Sequence, residues 1–157
     1  MLPLIRPEGT SQLLMSNAVA AIIRTPQDKF LMQLRDDIPH IWYPGCWGCF
    51  GGAFEPGEEP LEALRRELQE ELELEVSSAR QISRLEFDLR PVGLDYCFRD
   101  YFLVEPTAAE LGALVLHEGA RKAEFGFQEL AGLSLTPYDA FALHLYWAGC
   151  NGVLIKT

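Results

Sequence analysis

Hydrophobic positions in the first third of the chain predict three strands. The run at residues 17–24 is apolar and partly β-branched, a Thr-Pro-Gln-Asp turn follows it, and residues 29–35 complete a hairpin. Two prolines and a glycine in residues 36–45 indicate a long loop. Residues 46–50 then form a short strand that runs into a Gly-Gly pair.

One strong helix is predicted over residues 60–74. Its apolar residues recur at intervals of three and four and therefore form a single stripe: Leu61, Leu64, Leu68 and Leu72. The proline that begins this segment fits a first helical turn, where its missing N–H is not needed.

The second half of the chain predicts further strands and a closing helix. Residues 79–89 and 94–104 flank an Arg-Pro-Val-Gly turn and form a second hairpin. Residues 121–127 alternate weakly as a strand, and residues 138–148 form a helix. This order predicts a mixed sheet packed between helices, in the α/β or α+β class.

Length and composition fit one domain. With 157 residues, 48% of them hydrophobic, we expect a single domain over residues 1–157 with an irregular lead-in at residues 1–16. No apolar run approaches the ~18 residues of a membrane span, and the start lacks the apolar core of a signal peptide, so no membrane partner is expected. The net charge of −10 argues against long nucleic acids as partners.

The four cysteines are too few and too scattered for a secreted disulfide framework. Together with the missing targeting segment they predict a reduced, cytoplasmic location. The Cys46-x-x-Cys49 spacing also occurs in redox and zinc pairs. A structural zinc site normally needs four ligands and no second close pair exists, so we interpret both as ordinary strand residues.

Negative charge is concentrated in and just before the predicted long helix. Residues 55–75 contain nine carboxylates and only two arginines. On a helix, Glu67, Glu70 and Glu71 fall within about 100° of one another, beside the leucine stripe. A solvated helix face with an i,i+4 ion pair between Glu62 and Arg66 is one interpretation. That pair leaves the three crowded acids unexplained, whereas a shared hard cation such as Mg²⁺ would account for them. Spacing alone leaves both interpretations open.

Residues around this helix also fall at fixed spacings. The chain has Gly52, five residues, Glu58, seven residues, and then Arg66-Glu67-Leu68-Gln69-Glu70-Glu71-Leu72-Glu73-Leu74. This segment resembles the Nudix box, Gly-x5-Glu-x7-Arg-Glu-U-x-Glu-Glu-x-Gly-U with U aliphatic, and departs from it only where Glu73 replaces the last glycine. The resemblance implies the Nudix fold, an α/β/α sandwich with a mixed β-sheet between helices.

The resemblance also implies a chemistry. Nudix proteins typically hydrolyse a nucleoside diphosphate linked to another moiety, using Mg²⁺ or Mn²⁺. Carried over by position, the metal ligands are three carboxylates and one backbone carbonyl: Glu67, Glu70, Glu71 and Gly51. Glu67 would activate water, Arg66 would position the carboxylates by ion pairing, and Glu58 would assist the metal site or orient the loop. The metal would supply the positive charge that an acidic protein needs to bind an anionic substrate.

The departure at Glu73 has a structural consequence. A glycine there would end the helix in a left-handed conformation, which a glutamate adopts at a cost of ~1 kcal/mol. We therefore expect the helix to continue for half a turn, or to end in another way, before Val76.

A second acid is expected from outside the motif. Glu118 lies in a loop before a predicted strand, where many Nudix proteins place a late glutamate near the metals. A catalytic Glu118 and an exposed loop glutamate remain equal alternatives. Its neighbour His117 could contact phosphate, but we expect it to be solvated.

The residues that select the substrate are less clearly marked. Arg35 ends a strand and could pair with a terminal phosphate. Trp42 and Tyr43 could stack on a base, although we expect at least one of them to be structural. Tyr96 and Phe98 share one face of their strand, which predicts core positions more than a base platform.

Three functions follow from this pattern. The leading prediction is Mg²⁺-dependent hydrolysis of a pyrophosphate bond in a nucleoside triphosphate or modified nucleotide. Hydrolysis of a nucleotide sugar is the alternative within the same class. A catalytically inactive module that senses a nucleotide is the alternative outside it, and the intact acids argue against it. A homodimer is compatible with the sequence.

Overall fold

The computed structural model describes residues 16–151, so the lead-in predicted for residues 1–16 lies outside the described residues apart from Ser16. Its strands are β1 (Ala18–Arg24), β2 (Phe30–Leu34), β3 (Trp47–Gly48), β4 (Arg80–Asp88), β5 (Tyr96–Val104) and β6 (Arg121–Phe125). Its α-helices are α1 (Pro60–Leu72), α2 (Ala108–Ala113), α3 (Phe127–Leu130) and α4 (Pro137–Cys150), and a 3₁₀ turn covers Arg90–Val92. Every predicted strand and both predicted helices are present, whereas the short helices α2 and α3 were not anticipated.

The six strands form one mixed sheet in the order β3-β2-β1-β5-β4, and β6 pairs with β2. Strands β1 and β5 run parallel, while the pairs β1–β2, β2–β3, β2–β6 and β4–β5 are antiparallel. This arrangement confirms the predicted mixed sheet.

Helices cover both faces of the sheet, and β1 is buried from both sides. Val19 and Ala21 pack into one cluster with the leucines of α1, and Ala20 and Ile22 pack into a second cluster with residues of α3 and α4. Because successive side chains of a strand point to opposite faces, a strand covered on both sides is apolar throughout. This explains the unbroken apolar run of β1 and confirms the α/β/α sandwich.

The chain after β3 runs beside the first half of β1. Phe50 forms a bridge with Ala21, and Ala53 forms one with Ala18. Gly51, between them, has a φ of +124°, and a Cβ built there would lie 2.4 Å from the carbonyl oxygen of Val19. Only glycine fits this close backbone approach. The sheet thereby fixes the Gly51-Gly52 pair next to β1.

Helix α1 begins and ends with two departures from expectation. Glu62 accepts a hydrogen bond from the backbone N–H of Glu59 at 3.0 Å, so it caps the helix and does not form the predicted pair with Arg66. Glu73 has φ 55° and ψ 29°, and its N–H donates to the carbonyl of Gln69 at 3.0 Å. The helix therefore ends at Leu72 with a left-handed glutamate, and the expectation that it would continue for half a turn or end in another way was wrong.

The four cysteines, all within the described residues, form no disulfides. Burial raises the pKa of the Cys49 thiol well above its usual value. No group of three His, Cys, Asp or Glu residues within residues 16–151 is arranged to hold a metal ion. Cys46 and Cys49 flank β3 and do not lie within it, so the expectation that they are strand residues was wrong. Within the same part of the chain, no helix is both long and apolar enough to cross a membrane.

Candidate active site

A cavity of about 930 Å³ opens beside α1 and extends past the start of β1 to the first turn of α4. This volume lies within the usual range of sites for small molecules. The cavity is lined by every residue that the sequence suggested for metal or substrate binding, and by the late glutamate: Arg35, Trp42, Tyr43, Gly51, Glu67, Glu70, Glu71 and Glu118. Tertiary structure thus brings together side chains that are up to 83 positions apart in the chain.

Glu71 is the most deeply buried of these acids, with only 4% of its surface exposed. Its carboxylate accepts the N–H of Gly51 at 2.7 Å and lies 3.4 Å from the side-chain amide of Gln33. Burial, reinforced by the negative charges of Glu67 and Glu118, raises the pKa of Glu71 to about 8, although the Gly51 N–H opposes the shift. A buried acid with no cation partner among the described residues therefore lies in the cavity wall.

The carboxylate of Glu67 packs directly against Gly52. A Cβ at Gly52 would lie 2.5 Å from both carboxylate oxygens, so a glycine is needed to leave room for this side chain. Burial raises the pKa of Glu67, and the nearby charges of Glu70 and Glu118 add to the effect against the opposing charge of Arg66. Gly52, the first glycine of the motif, therefore leaves the space that the carboxylate of Glu67 occupies.

Arg66 connects the loop before α1 to the acids on the helix. Its Nε and one terminal nitrogen donate to the two oxygens of Glu58 at 2.7 and 2.9 Å. The other terminal nitrogen contacts Glu67 at 2.8 Å and Glu70 at 3.3 Å, and a further bond reaches the carbonyl of Ala53 at 2.9 Å. The two bonds from Arg66 to Glu58, together with the backbone N–H of Glu55, hold the pKa of Glu58 down to about 2. The predicted ion pairing of Arg66 is present, and its catalytic role stays a prediction.

The loop that carries Glu118 is attached to the C-terminal end of α1. The backbone N–H of His117 donates to the carbonyl of Glu71 at 2.9 Å, and its Nε2 lies 2.7 Å from Oε1 of Glu73. The amide of Gln33 donates to the carbonyl of Glu118 at 3.1 Å. Glu118 itself is exposed and lines the cavity. His117 is exposed as well, but it is paired with Glu73 where solvation alone was expected.

The chemistry of this donor set fits a hard divalent cation. Four glutamates line one cavity, and the ion pairs among the described residues connect Arg66 to two of them and no Lys or Arg to Glu71 or Glu118. Oxygen ligands of this kind suit Mg²⁺ or Mn²⁺. In the arrangement described here Glu67 and Glu70 are drawn toward Arg66, and no three acids of residues 16–151 already converge as ligands. A cation would have to draw them together by side-chain rotation.

The predicted substrate-binding residues line the same cavity as the acids. Arg35 Nε donates to the carbonyl of Trp42 at 2.8 Å, and the ring of Tyr43 packs edge-on against Tyr138 at 5.6 Å between centroids. Trp42 and Tyr43 are both half-buried. These contacts fasten the loop to β2 and α4, in agreement with a partly structural role for its aromatic residues.

The prediction that Tyr96 and Phe98 are core residues was wrong. Tyr96 is 43% exposed, and Phe98 is half-buried in the cavity wall. The reason is register, because β5 pairs with β1 only from Arg99 onward, while its first residues pair with β4 alone. Among residues 16–151, the start of β5 therefore has one strand neighbour and its second half has two.

Sequence reasoning missed four polar residues of this region: Gln33, Arg99, Tyr138 and Asp139. Asp139 is 1% exposed, and Gln33 is 5% exposed on a central strand. The sequence contained a signal for two of these residues. Gln33 and Arg99 are polar residues within apolar strands, and each lies on a strand face that it shares with buried residues. Polar residues in such positions need partners, and those partners define the site.

The fold and site together define an α/β/α domain with an acidic helix at a cavity large enough for a nucleotide. A family model described as NUDIX domain matches residues 15–145. The chain therefore belongs to the Nudix family, and the resemblance inferred from the motif is confirmed.

Individual relatives support the same assignment. The chain is 50% identical over 40 residues to the nucleoside triphosphatase NudI of Enterobacter sp. (strain 638), a match that spans 24% of this chain and 28% of that protein. The fold is similar to the E. coli ORF135 protein, with a TM-score of 0.70, 24% identity, and coverage of 91% of this chain and 96% of that one. It is also similar to the MutT protein of Methanosarcina mazei, with a TM-score of 0.69, 20% identity, and coverage of 88% and 98%.

Proposed function

We propose that this protein hydrolyses a phosphoanhydride bond of a small nucleoside diphosphate derivative with the help of Mg²⁺ or Mn²⁺. The observation that carries the proposal is the shared cavity, which is lined both by Glu67, Glu70, Glu71 and Glu118 and by the aromatic loop residues Trp42 and Tyr43. Family membership supports a hydrolase acting on a nucleotide derivative. The intact acids argue against an inactive sensing module.

We infer the roles of the residues from their positions in the family motif. Glu67, Glu70 and Glu71, with the carbonyl of Gly51, would hold the cation. When bound, the cation would neutralise phosphate charge and stabilise the charge that develops during in-line attack by water.

The chain's own groups then orient and deprotonate the water. Glu67 is held between Gly52 and Arg66 and accepts the proton of the attacking water. Arg66 keeps that carboxylate oriented through its second anchor on Glu58. Glu118, on the loop fastened to Glu71 and Gln33, is a second candidate for this proton transfer.

A nucleoside triphosphate or modified nucleotide is the proposed substrate. One relative is named a nucleoside triphosphatase, which supports this choice over a nucleotide sugar. Products separate the two, since a triphosphate yields pyrophosphate and a monophosphate or phosphate and a diphosphate, whereas a nucleotide sugar yields a sugar-containing product. We also propose a cytoplasmic location and small nucleotides as the partners of the site, and gel filtration with light scattering would test for a homodimer.

Product analysis with a panel of nucleotides tests the proposal. Hydrolysis should require Mg²⁺ or Mn²⁺, stop with EDTA, and fall by at least two orders of magnitude when Glu70 and Glu71 are both replaced by Gln. Glu75→Gln is the matched control, since this exposed glutamate lies just beyond α1 and does not line the cavity. Activity that survives EDTA, or that persists in the double variant, would overturn the metal assignment.

A further inference from the structure

Gln33 is a buried amide beside the acids, and the proposed hydrolysis gives it no role. It lies on β2, is 5% exposed and lines the cavity. Leu31, two positions earlier on the same face of the strand, packs into the apolar cluster around α1. Burying an amide in such surroundings is unfavourable unless its polar atoms are hydrogen-bonded. The partners of Gln33 therefore show what this polar residue contributes.

The side-chain nitrogen of Gln33 joins helix α1 to the loop of Glu118. It donates to Oε1 of Glu71 at 3.4 Å and to the carbonyl oxygen of Glu118 at 3.1 Å. A primary amide has two N–H groups, so both bonds can form at the same time. The other oxygen of Glu71 accepts the N–H of Gly51 at 2.7 Å. One side chain therefore contacts both a proposed cation ligand and the loop that carries the second acid.

The loop also packs directly against Gln33. Gly119 follows Glu118 with φ +81°, and a Cβ built there would lie 2.7 Å from Cγ of Gln33 and 2.9 Å from the carbonyl oxygen of Leu34. Only glycine fits so close an approach in this conformation. The next residue, Ala120, donates its N–H to the same carbonyl at 2.9 Å. A shift of the Gln33 side chain therefore requires a shift of the loop.

The two acids joined in this way interact with each other. The negative charge of Glu118 contributes to the raised pKa values of both Glu67 and Glu71. This repulsion opposes the approach of Glu118 to α1, and the bonds of Gln33 offset it by holding the loop in place. A divalent cation would replace the repulsion with attraction, since it draws carboxylates together.

We propose that Gln33 is a positioning residue that couples the cation site to the loop of Glu118. Through its two N–H groups it fixes the carboxylate of Glu71 relative to the backbone of Glu118, so cation binding and the position of the loop depend on each other. The proposal rests on the proposed function for the cation, but it requires no hydrolysis. A glutamine that only fills space in the core would affect stability alone.

Gln33→Met tests the coupling, because methionine keeps the length of the side chain and loses both donors. Mn²⁺ binding, measured from the electron paramagnetic resonance signal of the free ion, should weaken by about tenfold. Hydrogen exchange of the Ala120 amide, measured by NMR, is the second readout. Mg²⁺ should slow this exchange in the wild type, and the slowing should be lost in Gln33→Met.

Gly119→Ala disturbs the same contact from the loop side. The added methyl group would meet Gln33 and Leu34 and displace the loop, while the amide of Gln33 is retained. This variant should also weaken Mn²⁺ binding and lose the effect of Mg²⁺ on Ala120. It keeps the proposal testable if Gln33→Met does not fold.

Gln81→Met is the matched control. Gln81 also lies on a strand of the sheet and donates its amide to a buried acid, Asp100, at 2.9 Å, but it does not line the cavity. This variant should keep the Mn²⁺ affinity of the wild type. Urea unfolding of all three variants separates a loss of stability from a loss of coupling.

The outcomes separate this proposal from the hydrolase proposal. Mn²⁺ binding that is unchanged in Gln33→Met, or equally weakened in Gln81→Met, would overturn the coupling. Weaker Mn²⁺ binding with an unchanged effect of Mg²⁺ on Ala120 would assign Gln33 to Glu71 alone and would also overturn it. No Mn²⁺ binding by the wild type would contradict the metal-dependent hydrolase and, with it, this role of Gln33. Coupling observed in a protein that hydrolyses no nucleotide would support the role of Gln33 while contradicting the hydrolase.

Discussion

Glu73 and His117 are joined side chain to side chain, with Oε1 and Nε2 separated by 2.7 Å. Glu73 stands where the family motif has a glycine, and it adopts the left-handed conformation that this glycine would adopt. His117 precedes Glu118 in the loop that lines the cavity. The substitution therefore keeps the helix end of the motif and adds a contact between α1 and the loop of a candidate catalytic acid.

Two substitutions at Glu73 separate backbone strain from this contact. Glu73→Gly should stabilise the protein by about 1 kcal/mol, because it relieves the left-handed conformation and the exposed pair contributes little. Glu73→Ala keeps the strain and loses the pair, so it should be less stable than the wild type. Urea unfolding measures both values. A glycine variant less stable than the alanine variant would contradict the assigned conformation.

The stability of the metal-free protein should depend on the ionisation of Glu71. Its pKa is raised from an ordinary value of 4.5 to about 8, chiefly by burial. The folded state therefore holds a proton that the unfolded state has released, and stability should decline as pH rises between these two values. Below the ordinary pKa of 4.5, Glu71 is protonated in both the folded and the unfolded state, so it no longer makes stability depend on pH.

Glu71→Gln isolates this contribution, since glutamine can still accept the N–H of Gly51. In EDTA the variant should gain stability over the wild type as pH rises from 5 to 9, measured by urea unfolding. Mg²⁺ should stabilise the wild type more at high pH than at low pH, because the ionised carboxylate is the ligand. An identical pH profile for both proteins would rule out a buried, neutral Glu71.

Arg66 should be sensitive to the shape of its side chain as well as to its charge. Lysine cannot contact Glu58 through two parallel bonds while also reaching Glu67 and Ala53. Arg66→Lys should therefore lower kcat by at least about tenfold and stability by about 1–2 kcal/mol.

Arg65→Lys provides the comparison on the neighbouring position. Arg65 lies on the same helix and bonds to the carbonyl of Val76 at 3.2 Å, outside the cavity. The Arg65→Lys variant should leave kcat unchanged in steady-state assays. Equal effects at both arginines would show that the contacts of Arg66 matter only for the helix.

The two adjacent glycines should respond to alanine in different ways. At Gly51 the new methyl group would meet rigid backbone of β1 at 2.4 Å with φ +124°, so Gly51→Ala should destabilise the fold by more than about 2 kcal/mol. At Gly52 it would meet the mobile end of Glu67 at 2.5 Å, which can move aside. Gly52→Ala should therefore fold but lose activity, because Glu67 is displaced.

Thermal unfolding and nucleotide hydrolysis measured on both alanine variants check this contrast. A stable Gly51→Ala protein would contradict the close approach to β1. A fully active Gly52→Ala protein would contradict the conclusion that Glu67 needs the space beside Gly52.

Local pattern was sufficient for the strands and for the two long helices. The leucine stripe of α1 predicted its buried face, whereas the crowding of Glu67, Glu70 and Glu71 left a solvated face and a shared cation as alternatives until the resemblance to the family motif favoured the cation. Both depend on fixed helical geometry, which places residues three and four apart on one side. The same local reasoning failed at Glu73, since a cost of ~1 kcal/mol at one residue is smaller than what the surrounding contacts contribute.

By itself the sequence predicted the mixed sheet between helices and the acidic stretch of α1 from short-range periodicity and spacing, and it indicated the family through the resemblance of its motif. Only the tertiary structure decided which distant side chains meet those acids. Gln33 of β2 reaches Glu71, and Arg99 of β5 lines the same cavity, because β1 pairs with both of these strands. Strand register and helix docking are long-range packing choices, so no local window of residues contains them.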